Sequence, residues 1–324
     1  MPKLLAGIDI GGTKCALVLA HDEGNKISII DKRRFETPLS PDATLEKFQH
    51  ELSDMLTSQS LSLDAIGISC GGPLNSETGM ILSPPNLPHW VNIPVVDYFK
   101  QKFNVPTAVQ NDANAGALAE WQWGAGRGYK NIIFLTFGTG MGAGLILDNR
   151  LYSGTNDLAG EVGHIRLASD GPVGFGKAGS FEGFCSGGGI ARLASKRAEE
   201  AINAGNAPSF CPSIEGLGSI SAKSVAIAAN DGDPLALEIF DTIAEKLGLG
   251  LSILIDILNP QRIIIGSIFL RQQHILQEKM LATISQEAIP YSSAACDIVP
   301  PELAEQIGDY AALAVARYQG AGRN

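Results

Sequence analysis

The chain has little positive charge, few cysteines, few aromatics and no long apolar run. Against 34 acidic residues stand 24 lysines and arginines, a formal net charge of −10. That balance argues against a nucleic-acid surface or an anionic membrane as the main partner. The cysteines, Cys15, Cys70, Cys185, Cys211 and Cys296, are scattered and show no CxxC spacing. Free, mostly buried thiols in a reducing cytoplasm fit that usage. The longest apolar stretch, Leu247–Leu258, contains Ser252 and Asp256. It falls short of the ~20 residues a membrane-spanning helix needs and reads as a buried core helix. The start, Met1-Pro2-Lys3-Leu4, has no charged segment leading into a cleavable apolar one. Low-complexity tracts and short-period repeats are also missing. What remains is the composition of an ordinary globular protein, 45% apolar and 18% charged. At 324 residues it is too long for one typical core, so two lobes are expected.

Two stretches then say nearly the same thing. Leu4 to Asp9 runs through Ile10-Gly11-Gly12-Thr13-Lys14 into the apolar Cys15 to Leu19. Ile132 to Phe137 runs through Gly138-Thr139-Gly140-Met141-Gly142 into Ala143 to Leu147. Each reads as a β-hairpin with a nearly bare turn, which lets backbone N–H groups approach an anion. A dinucleotide or P-loop reading needs a helix straight after the glycines, and here a strand follows. Two such turns suggest two halves gripping one polyphosphate. Asp9, at a strand end, suits a hydrated Mg²⁺, with Thr13 or Lys14 on phosphate oxygens; a plain turn with Asp as local acceptor is the alternative.

The rest of the chain reads as alternating elements. Helices are expected over about 41–57, 113–121, 188–204, 221–229, 234–258 and 301–318. Strands are expected over 27–30, 65–70, 106–110 and 262–265, with a long Gly-rich functional loop over 154–189. Asn111-Asp112-Ala113-Asn114 falls at a strand-to-helix junction. Asp112 there is either a general base for phosphoryl transfer or a helix N-cap. Glu161-Val162-Gly163-His164 places an acid and a histidine where they can hydrogen-bond sugar hydroxyls, with Asn86 and Glu182 as further candidates; a packing role for His164 is the alternative. Trp90, Trp121 and Trp123 offer faces for stacking on a sugar or for core packing.

In this order and spacing the motifs resemble the ROK family of bacterial sugar kinases over nearly the whole chain. Asp9 to Lys14 and Gly138 to Gly142 are similar to its two phosphate motifs, Asn111 to Asn114 to its catalytic motif, and Glu161 to His164 to its ExGH motif. The resemblance implies a hexokinase-like α/β fold of the actin/RNase H type, with ATP and a hexose meeting in an interlobe cleft whose closure excludes water. Lobe one would span 1–115, joined by a C-terminal helix within 301–324, and lobe two 116–300. Asp112 would be the base. Gly72, Asn86, Asn111, Asp112, Glu161, His164 and Glu182 would bind sugar, and Gly266 would contact adenosine. Phosphates would meet Gly11, Gly12, Thr13, Lys14, Gly138, Thr139, Gly140 and Gly142, with Mg²⁺ on Asp9. Glucose is the first expectation for the hexose, ahead of N-acetylhexosamine, mannose, fructose or allose, and a homodimer is the expected assembly. Sugar-sensing repressors of this family carry a DNA-binding segment ahead of the first phosphate motif, which here begins at residue 9. One departure stands out. The family's CxCGxxGCxE segment binds a structural zinc together with the ExGH histidine. Here it reads Val173-Gly174-Phe175-Gly176-Lys177-Ala178-Gly179-Ser180-Phe181-Glu182. The thiolates a tetrahedral site needs are gone, so no structural zinc is expected and another partner must orient His164.

Overall fold

A computed structural model describes residues 2–320. The chain divides into two compact units. Unit one holds the described residues up to Phe134, Gly144–Ala159, and Glu302 onward; unit two holds Leu135–Ala143 and Gly160–Pro301. The expected boundary at 115 therefore moves to the middle of the second hairpin. Helix Asp112–Trp123 stays in unit one because it packs on the C-terminal helix Ile307–Gly320.

Unit one is built on a five-stranded sheet in the order Ile27–Glu36, Lys14–Asp22, Lys3–Ile10, Ala65–Cys70, Thr107–Asn111. The first three strands are antiparallel, and the last two join Lys3–Ile10 in parallel. Every residue of Ala65–Cys70 is buried, as an apolar run covered on both faces must be. Helix Pro41–Ser58 begins where Ser40 accepts from the Ala43 N–H at 3.2 Å with proline in the first turn. Its stripe of Leu45, Phe48, Leu52 and Met55 enters a core shared with Phe99 and Trp90. Trp90 and Trp123 are thus packing residues.

The C-terminal helix lies against the strands Lys3–Ile10 and Ala65–Cys70. Gly67 makes that approach possible: a Cβ there would sit 2.0 Å from the Ala312 carbonyl oxygen and 2.3 Å from the Ala316 nitrogen. Backbone cannot yield as a side-chain tip can. Gly67→Ala is therefore expected to push the helix off the sheet at a cost of about 2–3 kcal/mol, read as a melting point lower by about 5 °C or more. An unchanged melting point would place the helix elsewhere.

The final helix starts at Ile307 after a 3₁₀ turn, later than the expected 301. The cause is a buried carboxylate. Glu120 accepts the N–H groups of Glu302 at 3.2 Å and Leu303 at 3.0 Å, and also that of Ala125 at 2.7 Å. The segment is held in a turn before it can wind. Two helices carry no usable start signal: Val95–Phe103 follows Pro94 with no side-chain cap, and Ile268–Glu287 follows Ser267 at φ 59°.

In unit two, helix Pro234–Leu258 has the expected limits. Asp233 caps it on the Ala236 N–H at 3.0 Å, and Asn259 ends it in the left-handed region. Strand Arg262–Ile265 is flanked in parallel by Asp297–Val299, and the Gly266 N–H donates to the Leu135 carbonyl at 3.0 Å. Within the Gly-rich 154–189 stretch lie a 3₁₀ turn at Val162–His164, a small hairpin of Val173–Gly174 with Lys177–Ala178, and helix Phe181–Phe184. No described helix is long and apolar enough to cross a membrane.

Candidate active site

In unit one, strand register brings the candidate residues together. Ile10 lies beside Cys70, and Cys70 beside Asn111. The three parallel strands therefore end together, bringing the Gly11–Lys14 turn, Gly71–Gly72 and Asn111–Asp112 to one sheet edge, where α/β proteins hold ligands. Asn86 closes over it: a Cβ on Gly12 would meet the Asn86 carbonyl oxygen at 2.3 Å, and one on Gly71 would meet Asn86 Oδ1 at 3.0 Å. Only glycine fits at position 12 beneath that carbonyl.

Thr37 braces the turn. Its hydroxyl donates to the Gly11 carbonyl at 2.6 Å, and its N–H donates to the Thr13 carbonyl at 3.0 Å. Burial raises the pKa of the Cys15 thiol beneath the turn, and hydrogen bonding with Thr37 and the Gly11 backbone opposes that. A recess of about 440 Å³ adjoins the turn, lined by Asp9, Lys14, Arg34 and Asp309 among others.

Asn111, not Asp112, caps the helix: its Oδ1 accepts from the Asn114 N–H at 2.7 Å. That removes the cap reading of Asp112. Asp112 is the first helical residue, keeps an exposed edge, and accepts its neighbour Ala113's N–H at 2.9 Å. Dense protein around the rest of the carboxyl raises its pKa, and the N–H bonds oppose that. Asp9 is pushed up to about 7, first by burial and then by the negative charge of Asp112, while a hydrogen bond from Ser69 pulls it back. The charge of Asp112 thus reaches Asp9, with Asp309 adding to it and Arg34 opposing it. An all-oxygen pair that repels when ionised fits a divalent cation such as Mg²⁺, with Asp9 as the group to hold it.

In unit two the second glycine turn is tied from below. The Met141 N–H donates to Glu182 Oε2 at 3.0 Å, Gly142 donates to the Thr136 hydroxyl at 2.9 Å, and Gly138 donates to the Gly140 carbonyl at 3.1 Å. Of the expected phosphate amides, Gly138 and Gly142 are therefore already engaged, which leaves Thr139 and Gly140. Ser267 lies against this turn, with its Oγ 3.3 Å from where a Gly138 Cβ would stand, so Gly266 and the turn are neighbours. Glu182 also reaches the ExGH segment: its Cβ lies 3.1 Å from where a Gly163 Cβ would stand. Glu161 is exposed just before the turn that carries His164.

A ROK family pattern matches residues 5–318. The chain belongs to the ROK family. Among its ROK relatives, the glucokinase of Streptomyces coelicolor is 32% identical over 269 residues, 81% of each chain. The crystal structure of a ROK family glucokinase from Streptomyces griseus in complex with glucose and AMPPNP is 29% identical, with a TM-score of 0.75 over 97% of this chain and 99% of that one. A ROK family transcriptional regulator, a homologue of the E. coli MLC protein, is 25% identical, with a TM-score of 0.84 over 99% of this chain and 80% of that one. The fold of this ROK chain is the actin-like sugar-kinase fold.

The segment where the family carries its cysteines is a hairpin packed on His164. Val173 and Phe175 are exposed, and Ser180 is buried as the cap of helix Phe181–Phe184, accepting from Gly183 at 3.1 Å. Among the described residues no three His, Cys, Asp or Glu side chains gather as a metal site. Sequence motifs did not point to Thr37 or Ser69. Ser69 left a signal, a hydroxyl in an otherwise apolar buried strand; Thr37 left none.

Proposed function

We propose that this ROK chain transfers the γ-phosphoryl group of ATP to the primary hydroxyl of a hexose, glucose first. The observation that carries the reading is the division of labour at the junction: Asn111 caps the helix and leaves Asp112 uncommitted as a cap, at the sheet edge where the Gly11–Lys14 turn also ends. Asp112 takes the proton of the attacking hydroxyl, and its raised pKa makes it the stronger base once ionised. Asp9 holds Mg²⁺, which when bound neutralises phosphate charge. Lys14 and the N–H groups of Gly12, Thr13, Thr139 and Gly140 bind phosphate oxygens, and the Gly266 turn takes the adenosine side. Gly72, Asn86, Asn111, Glu161, His164 and Glu182 hold the sugar. Glucokinases among the relatives support this assignment.

ADP release measured with and without a panel of glucose, mannose, fructose, allose and N-acetylhexosamines tests the reading. Release is expected only with sugar, and highest with glucose. Sugar-independent hydrolysis would indicate an ATPase, and sugar binding without turnover a sensor. The buried free thiols of Cys15, Cys70, Cys185 and Cys211 support a reducing compartment. We also propose a homodimer without structural zinc; light scattering and metal analysis of the purified protein test both.

A further inference from the structure

No hydrogen bond from a described residue reaches the His164 imidazole, although its backbone is firmly held. Lys177 Nζ donates to the His164 carbonyl at 2.7 Å. The hairpin bearing Lys177 is stitched to the segment after His164: Arg166 Nη1 donates to the Ala178 carbonyl at 2.7 Å, and the Leu167 N–H donates to the Gly179 carbonyl at 2.8 Å. What fixes the ring itself is an aromatic edge. Phe175 meets His164 with centroids 5.0 Å apart and planes at 80°.

Phe175 is a costly choice for its position. It is 72% exposed, and with Gly176 it forms the two-residue turn between Val173–Gly174 and Lys177–Ala178. Both turn residues have positive φ, 43° and 76°. A turn of that kind favours asparagine, aspartate or glycine first, and a bulky ring there is both strained and left in water. The local choice works against the fold, which points to a use elsewhere.

We propose that the Phe175 ring orients the His164 imidazole, so that this turn sets the affinity for sugar. Phe175 is a positioning residue, and the proposal rests on the reading that His164 meets the sugar. A perpendicular ring at that distance constrains the tilt of the imidazole without taking a hydrogen bond from it. His164 can then serve a sugar hydroxyl as donor or as acceptor.

The test separates positioning from structure because the two predict opposite signs for one variant. Phe175→Asn suits the turn and should leave the melting point equal or higher by a few degrees. It should also weaken hexose binding, measured by calorimetry and as KM, about three- to tenfold, the range of an aromatic pair contact. The KM for ATP and kcat should stay within about twofold. Phe175→Tyr keeps the ring edge and should bind hexose as the parent does. Unchanged hexose affinity in Phe175→Asn, or a loss in Phe175→Tyr as large as that in Phe175→Asn, overturns the proposal. His164→Ala measured alongside tells which level has failed. If it too leaves hexose affinity unchanged, the sugar contact beneath the proposal is wrong. If it weakens binding while Phe175→Asn does not, only the positioning role is lost.

Discussion

Asp112→Asn is expected to lower kcat by about 10³-fold while changing calorimetric hexose affinity less than about threefold. Asparagine keeps the shape and can still accept the Ala113 N–H that Asp112 accepts at 2.9 Å. Asn111 goes on capping the helix, so the fold has no reason to fail. What disappears is the only group at that junction able to take a proton. The residual rate should also lose its dependence on the ionisation of that carboxylate, since stabilisation of the transferring phosphoryl group by turn amides does not titrate. A second consequence follows inside unit one. The charge of Asp112 is one reason Asp9 stands at about 7, so in Asp112→Asn the pKa of Asp9 should fall toward the ordinary carboxylate range. Turnover within tenfold of the parent would remove Asp112 as the base.

The strand Ala65–Cys70 and the helix Pro234–Leu258 were legible because their causes are local. One is an unbroken apolar run, and the other has aspartate and proline at its start and asparagine at its end. The start of the last helix was illegible because its cause is not local: Glu120, 182 residues away, takes the Glu302 N–H. The same contrast holds at the site. Glycine turns announce themselves, since nothing else lets backbone approach an anion, but the spacing cannot tell which turn amides the fold consumes. Gly138 and Gly142 look identical in sequence to Gly140 and differ only in what they bond. Asn111 and Asp112 likewise compete for one cap, and only backbone geometry decides between them. The hexokinase-like fold was readable as a resemblance because several motifs of modest specificity recur in one order; the position of the unit boundary depended on how helices pack.

Asp9→Asn should cost activity and add stability, and the two effects should separate with pH. The carboxyl is pushed from its ordinary 3.8 up to about 7 in the fold. The folded chain therefore holds that proton more tightly than the unfolded chain does. As pH rises from about 4 to about 7 the unfolded state ionises freely while the folded state resists, so this group lowers stability progressively and to its full extent above about 7. At about 1.4 kcal/mol per pH unit of displacement, the penalty amounts to a few kcal/mol at most. Asparagine cannot ionise and escapes it. Without Mg²⁺, Asp9→Asn should melt higher than the parent at pH 8 and nearly with it at pH 4. Added Mg²⁺ with nucleotide should reverse the order. The cation needs the ionised carboxylate, so in the parent the melting-point gain should grow with pH through about 7, while in Asp9→Asn it should be small at every pH. Turnover should fall by at least about 10²-fold, because the transferring phosphoryl group loses the cation that offsets its charge. Two results would count against this account: equal melting points for parent and variant at pH 8, or an undiminished Mg²⁺ response in the variant. If both expected results are obtained, Asp9 is a residue kept at a cost to the fold, because a carboxyl raised by its surroundings and by Asp112 is one that a bound cation relieves.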